Sequence, residues 1–105
     1  MDIDQIKAPL NQFVKKVPKS IKVDQVIIFG SYLEGNVSQD SDIDVLVISD
    51  DFKKMNADQR LEVLYDAAED IEPEIDAWGF TQEELKRAGE LTTLGYARTS
   101  GIRFV

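Results

Sequence analysis

Residues 27–48 read IIFGSYLEGNVSQDSDIDVLVI. Two apolar runs bracket the stretch, one ending at Phe29 and one running from Val45 to Ile48. Runs this short, rich in Val and Ile and bounded by Gly, Ser and Asp, read as strands buried on both faces. What lies between them carries the chemistry. Gly30 lets the backbone approach a ligand closely. Ser31 offers a hydroxyl and an N–H at the start of a turn or short helix, where amides suit an anionic phosphate. Gly35 permits a sharp reversal. Asp42 and Asp44 stand two apart at the opening of a strand, so both point to one face. Carboxylates held together repel unless a cation neutralises them. Hard oxygen ligands next to phosphate suit Mg²⁺.

Working outward, Ile3, Ile6, Leu10, Phe13, Val14 and Val17 recur at helical spacing, with Pro9 placed in a first helical turn. A strand is expected over 23–29, another over Ile43–Ile48, and a loop over 53–56. Asn56 with Gln59 forms a capping box, and Leu61, Leu64, Tyr65, Ala68 and Ile71 give the helix that follows its apolar face. Pro73 stops that helix. A third strand over 74–80 places Ile75, Ala77 and Gly79 on one face and Glu74, Asp76, Trp78 and Phe80 on the other. Thr81 with Glu84 caps a further helix carrying Leu85 and Ala88, and 102–105 reads as a last short strand. The order predicts an α/β (α+β) domain: a small mixed β-sheet with helices packed mainly on one face. On the second strand, Ile43, Val45 and Val47 are expected toward the helices. Asp42, Asp44, Leu46 and Ile48 then share a face with Asp76, Trp78 and Phe80. Apolar residues there need a cover: the chain's own C-terminus, a second copy or a partner.

Composition narrows the chemistry. The 105 residues fit one domain, 1–105, and 43% hydrophobic residues suffice for a core rather than a disordered chain. Neither Cys nor His occurs, as the sequence shows. This excludes disulfides, thiolate or imidazole metal sites, cysteine nucleophiles and Ser-His-Asp triads. Any reaction must use carboxylates, hydroxyls, backbone amides, Lys or Arg. The net charge of −8 is uneven: +3 over 1–23, −12 over 24–76 and +1 over 77–105. An acidic centre disfavours autonomous nucleic-acid binding and suits divalent cations or a basic protein partner. No leader pattern or membrane-length apolar run is apparent, so a cytoplasmic protein without membrane association is expected.

The chemistry-bearing stretch resembles the motif of minimal nucleotidyltransferases of the polymerase-β-like superfamily: Gly30-Ser31, ten intervening residues, then Asp42-Ile43-Asp44. Gly35 and the Asp40-Ser41 that precede the acid pair match as well. The resemblance implies the polymerase-β-like nucleotidyltransferase fold. It also implies transfer of a nucleoside monophosphate, AMP from ATP, to a hydroxyl with release of pyrophosphate. Gly30 and Ser31 would hold the β- and γ-phosphates, so that the nucleotide site comprises Gly30, Ser31, Asp42 and Asp44. Asp42 and Asp44 would bind two Mg²⁺ ions. Asp76, the best candidate for the family's third carboxylate, would complete a catalytic and metal-binding trio and help take the proton. Two ions about 3.5–4 Å apart clamp the attacking and leaving oxygens of an in-line displacement.

Stand-alone members resemble antitoxins paired with small helical HEPN-type ribonuclease toxins, so the implied acceptor is a tyrosine of such a partner. A homo-oligomer is the other assembly expected. Family members often carry Arg where this chain has Glu34, and Glu74 shares the face of Asp76. Those two departures support the alternative, a nucleotidyltransferase-like binding module of weak or no activity that neutralises a basic partner by contact. A transferase acting on a small hydroxyl compound is a third reading.

Taken alone, Gly-Ser is an ordinary loop and Asp-x-Asp a solvated strand start. Residues 40–44 fail as a calcium loop because Val45 occupies the glycine position. The stretch also lacks the Gly-Lys-Ser/Thr of a P-loop. Tyr32 reads as packing or surface, and Trp78 as core or interface.

Overall fold

A computed structural model describes residues 6–17, 21–29, 43–72, 74–89, 92, 95, 97 and 101–104. Helix α1 spans Lys7–Lys16, with Pro9 inside its first turn. Its apolar face is sealed: Ile6, Leu10, Phe13 and Val17 are all buried. Strand β1 is Gln25–Phe29 and β2 is Ile43–Ile48. Residues 50–54, partly expected as loop, form a 3-10 segment that drives Phe52 into the core. Helix α2, Ala57–Ala68, starts with the reciprocal capping box of Asn56 and Gln59. Strand β3 is Ile75–Phe80, helix α3 is Gln82–Arg87, capped by Thr81 and Glu84, and β4 is Ile102–Arg103.

The four strands lie in the order β3-β2-β1-β4. β1 runs antiparallel to both β2 and β4, and β2 runs parallel to β3, so the sheet is mixed. Side chains alternate between the two faces. On one face Val26, Ile28, Ile43, Val45, Val47 and Ile75 pack with α1, α2 and Phe52. Each large apolar side chain buried this way contributes about 1.5–3 kcal/mol. Gly79 is required here: a Cβ would lie 2.7 Å from two ring carbons of Phe52. On the opposite face Ile27, Phe29, Leu46 and Ile48 pack with Leu85 of α3 and with Ala97. Part of the cover for that face therefore comes from the chain's own C-terminal third.

Two expectations need correction. Leu61 and Tyr65 are not core residues: they are 49% and 75% exposed, while Leu64 and Ala67 carry the buried contact of α2. α2 packs over β3, the sheet's edge strand, so the outer part of its apolar stripe lies beyond the sheet. The helix also ends before Pro73 requires it to. Asp70 adopts a left-handed conformation, φ 63°, which reverses the chain so that Ile71 returns to the core.

Among the described residues, buried polar side chains are matched. Ser49 Oγ donates to the Lys22 carbonyl and accepts from the Asp51 N–H. Thr81 Oγ1 accepts from the Glu84 N–H. Arg60 ties three elements together: its guanidinium donates to the carbonyls of Phe52, Met55 and Gly79 and to the Glu84 carboxylate. Burial pushes the Glu84 carboxyl up. Hydrogen bonds from the Thr81 backbone and from Arg60, with the attraction of the Arg60 charge, outweigh it and hold the group below its ordinary value. Among the described residues no helix is long and apolar enough to cross a membrane.

Candidate functional site

The parallel register of β2 and β3 sets Asp44 directly beside Asp76. The antiparallel register of β1 and β2 sets Phe29 on the other side of Asp44. Phe29, Asp44 and Asp76 thus form one row across three strands. Neighbouring strands lie about 4.8 Å apart, so the two carboxylates share one small patch of the sheet. Both acids are half-buried, on the face opposite α1 and α2. The row lies at the end of the sheet where β1 finishes and where β2 and β3 begin. That placement depends on a pairing between distant segments and could not be read from spacing.

Gly30, Ser31 and Asp42 lie outside the described residues. In the chain, Gly30 follows Phe29 directly and Asp42 precedes Ile43. Of the five residues singled out from the sequence, the structure therefore places two, and it brings those two together. Glu74, the rival third acid, is exposed and precedes β3, where its carbonyl accepts from the Ile43 N–H.

Trp78 follows Asp76 by two residues on the same face of β3. Its ring meets that of Phe29 at 5.7 Å between centroids, tilted by 50°. The two aromatics reach toward each other across β2, beside the acid row, and Trp78 stays 38% exposed. The sequence placed Trp78 on the face of Asp76 and as core or interface, without its contact with Phe29. The period-two step from Asp76 was the signal that placed it on the acidic face.

Chemically, two adjacent carboxylates form an incomplete cage for a hard divalent cation. They provide anionic oxygens at one spot, and a cation there turns their mutual repulsion into attraction. Among the described residues there is no group of three or more acids that would hold a metal ion alone. The pair thus fits two members of a ligand set, not the whole of one.

Comparison with known proteins bears on the family and the fold. The family model described as "Nucleotidyltransferase domain" matches residues 10–98. No curated protein gives a significant match. A crystal structure from Sulfolobus solfataricus, described as that of a "putative nucleotidyltransferase", superposes with a TM-score of 0.68 at 23% identity. The match covers 95% of this chain and 79% of that one, and it establishes a shared fold. With the family model spanning most of the sequence, the chain belongs to the nucleotidyltransferase domain family.

Proposed function

We propose that the chain transfers AMP from ATP to a hydroxyl group, with Asp42, Asp44 and Asp76 holding Mg²⁺ and Gly30-Ser31 cradling the triphosphate tail. The observation that carries this reading is the register that sets Asp44 beside Asp76. In the reaction the hydroxyl oxygen forms a bond to the α-phosphorus, and the bond from that phosphorus to the bridging oxygen breaks. Pyrophosphate leaves, and the hydroxyl proton passes to the Asp76 carboxylate and then to water. Mg²⁺, when bound, supplies positive charge that polarises the phosphoryl oxygens. The chain's residues fix the triphosphate and aim the acceptor, which converts an encounter into a positioned reaction. No imidazole is needed, consistent with a sequence lacking His.

The acceptor in this proposal is a tyrosine of a small helical HEPN-type partner, and the chain acts as its antitoxin in the cytoplasm. Its support is the family resemblance and the −12 charge over 24–76, complementary to a basic RNA-cleaving surface. The test is incubation with Mg²⁺ and each labelled nucleoside triphosphate, with such a partner present, followed by intact mass. A gain of one AMP on the partner, abolished by Asp44→Asn, supports the proposal. Full neutralisation of the partner by the Asp42→Asn/Asp44→Asn double variant, with no added mass in the wild type, establishes contact inhibition instead.

A further inference from the structure

We infer that the outer edge of β3 receives an extended, lysine- or arginine-rich segment of another protein. This inference goes beyond nucleotidyl transfer and does not rest on it, because a chain that transfers nothing keeps the same edge. Among the described residues β3 is an edge strand. The Ile43 N–H donates to the Glu74 carbonyl and the Ser49 N–H to the Phe80 carbonyl, so even-numbered positions turn their backbone groups toward β2. Alternation then directs the backbone groups of Ile75, Ala77 and Gly79 outward. The Gly79 carbonyl accepts from Arg60, which marks one end of that outer edge. An edge of this kind is a template for strand addition.

The surroundings specify the occupant. A trough of about 1190 Å³ runs between β3 and α2, and eight of its lining residues are acidic while none is basic. A second depression of about 480 Å³ shares Leu61 and Trp78 with it and continues toward Phe80. Together they follow β3 along its length, a shape suited to a strand. Leu61, Tyr65 and Trp78 are 49%, 75% and 38% exposed, and they supply apolar contact within the acidic rim. A second copy of this chain would bring one acidic trough against another, which like-charge repulsion disfavours. A basic strand satisfies the backbone edge, the apolar residues and the charge together.

The chain's single tryptophan lies on this trough and reports on it. The probe is a nine-residue peptide of alternating lysine and valine, titrated while Trp78 emission is followed. The expected result is a blue shift with saturable binding that weakens as salt rises. The Leu61→Ser/Tyr65→Ser and Glu62→Lys/Asp66→Lys variants, folded by circular dichroism, should each bind at least tenfold more weakly. A peptide N-methylated at alternate residues should lose binding, because it cannot pair along the edge. Four results would overturn the inference: no saturable binding, unchanged affinity in the variants, equal binding of the N-methylated peptide, or equal binding of a glutamate–valine peptide. A wild-type dimer in sedimentation equilibrium that Leu61→Ser/Tyr65→Ser dissociates would overturn it too, by assigning the edge to a second copy.

Discussion

On β2, Ile43, Val45 and Val47 are fully buried beneath α1 and α2, while the alternate positions run from half-buried Asp44 to buried Leu46 and Ile48. The neighbouring strand repeats the contrast: Ile75 and Gly79 are buried, and Asp76 and Trp78 on the other face reach solvent. One face is apolar along its whole length. The other is apolar at one end of the strands and acidic at the end where β2 and β3 begin. The difference shows how a small fold supports a polar site. The helix-covered face supplies the packing that fixes the register, and the register aligns two repelling carboxylates. Substitutions on the first face should therefore cost stability, and those at the acidic end of the second should chiefly cost chemistry.

The largest effect is expected from Phe52→Ala. Phe52 is fully buried against Gly79 and Leu64, and the Arg60 guanidinium lies 5.6 Å from its ring centroid. Truncation should destabilise the fold by about 3–5 kcal/mol in urea denaturation. A loss below about 1 kcal/mol would mean that the helix-covered face does not carry the structure. Gly79→Ala should cost about 1–3 kcal/mol by overpacking the same ring, and Gly79→Ala with Phe52→Leu should recover part of it. If Gly79→Ala melts like the wild type, the close approach of β3 to Phe52 is wrong.

Smaller effects sharpen the comparison away from the core. Asp70→Gly should raise stability by up to about 1 kcal/mol, since glycine adopts the left-handed conformation at no steric cost. Unchanged or lower stability would show that the Asp70 side chain contributes more than its backbone strain costs. Glu84 gives the smallest and pH-dependent term. Its carboxyl is held below the ordinary value in the fold, so the unfolded chain binds the proton more readily. The contribution is complete above the unfolded value and is lost as pH falls through the folded one. Melting temperatures across that acid range should fall less for Glu84→Gln than for the wild type. Parallel curves would exclude the Arg60–Glu84 contact as their source.

Much of this was legible in local sequence. β2 occupies the predicted residues, and both capping boxes form, because these depend on neighbours within a few positions. The face assignments of β2 and β3 hold for the same reason, since alternation is a local property of strands. The exposure of Leu61 and Tyr65 was not legible. Helical spacing shows that a stripe is apolar, not whether a strand lies beneath all of it. The left-handed Asp70 was hidden by the more conspicuous Pro73. The Arg60 links to Phe52, Gly79 and Glu84 join segments that only the folded sheet brings together. At the site, spacing nominated Asp44, and the family resemblance nominated Asp76. Their adjacency is a consequence of parallel pairing between strands separated by a whole helix.

The most direct measurement is Mn²⁺ titration, followed by electron paramagnetic resonance, in the presence of a nonhydrolysable ATP analogue. Wild type, Asp44→Asn, Asp76→Asn and the double variant would be compared at matched thermal stability. If the aligned acids hold the metal of a nucleotide complex, each single substitution should weaken Mn²⁺ binding by at least about tenfold, or roughly 1.4 kcal/mol. The double variant should lose less than the sum of the two, because the pair acts as one site. Wild-type affinity in either single variant would contradict the account.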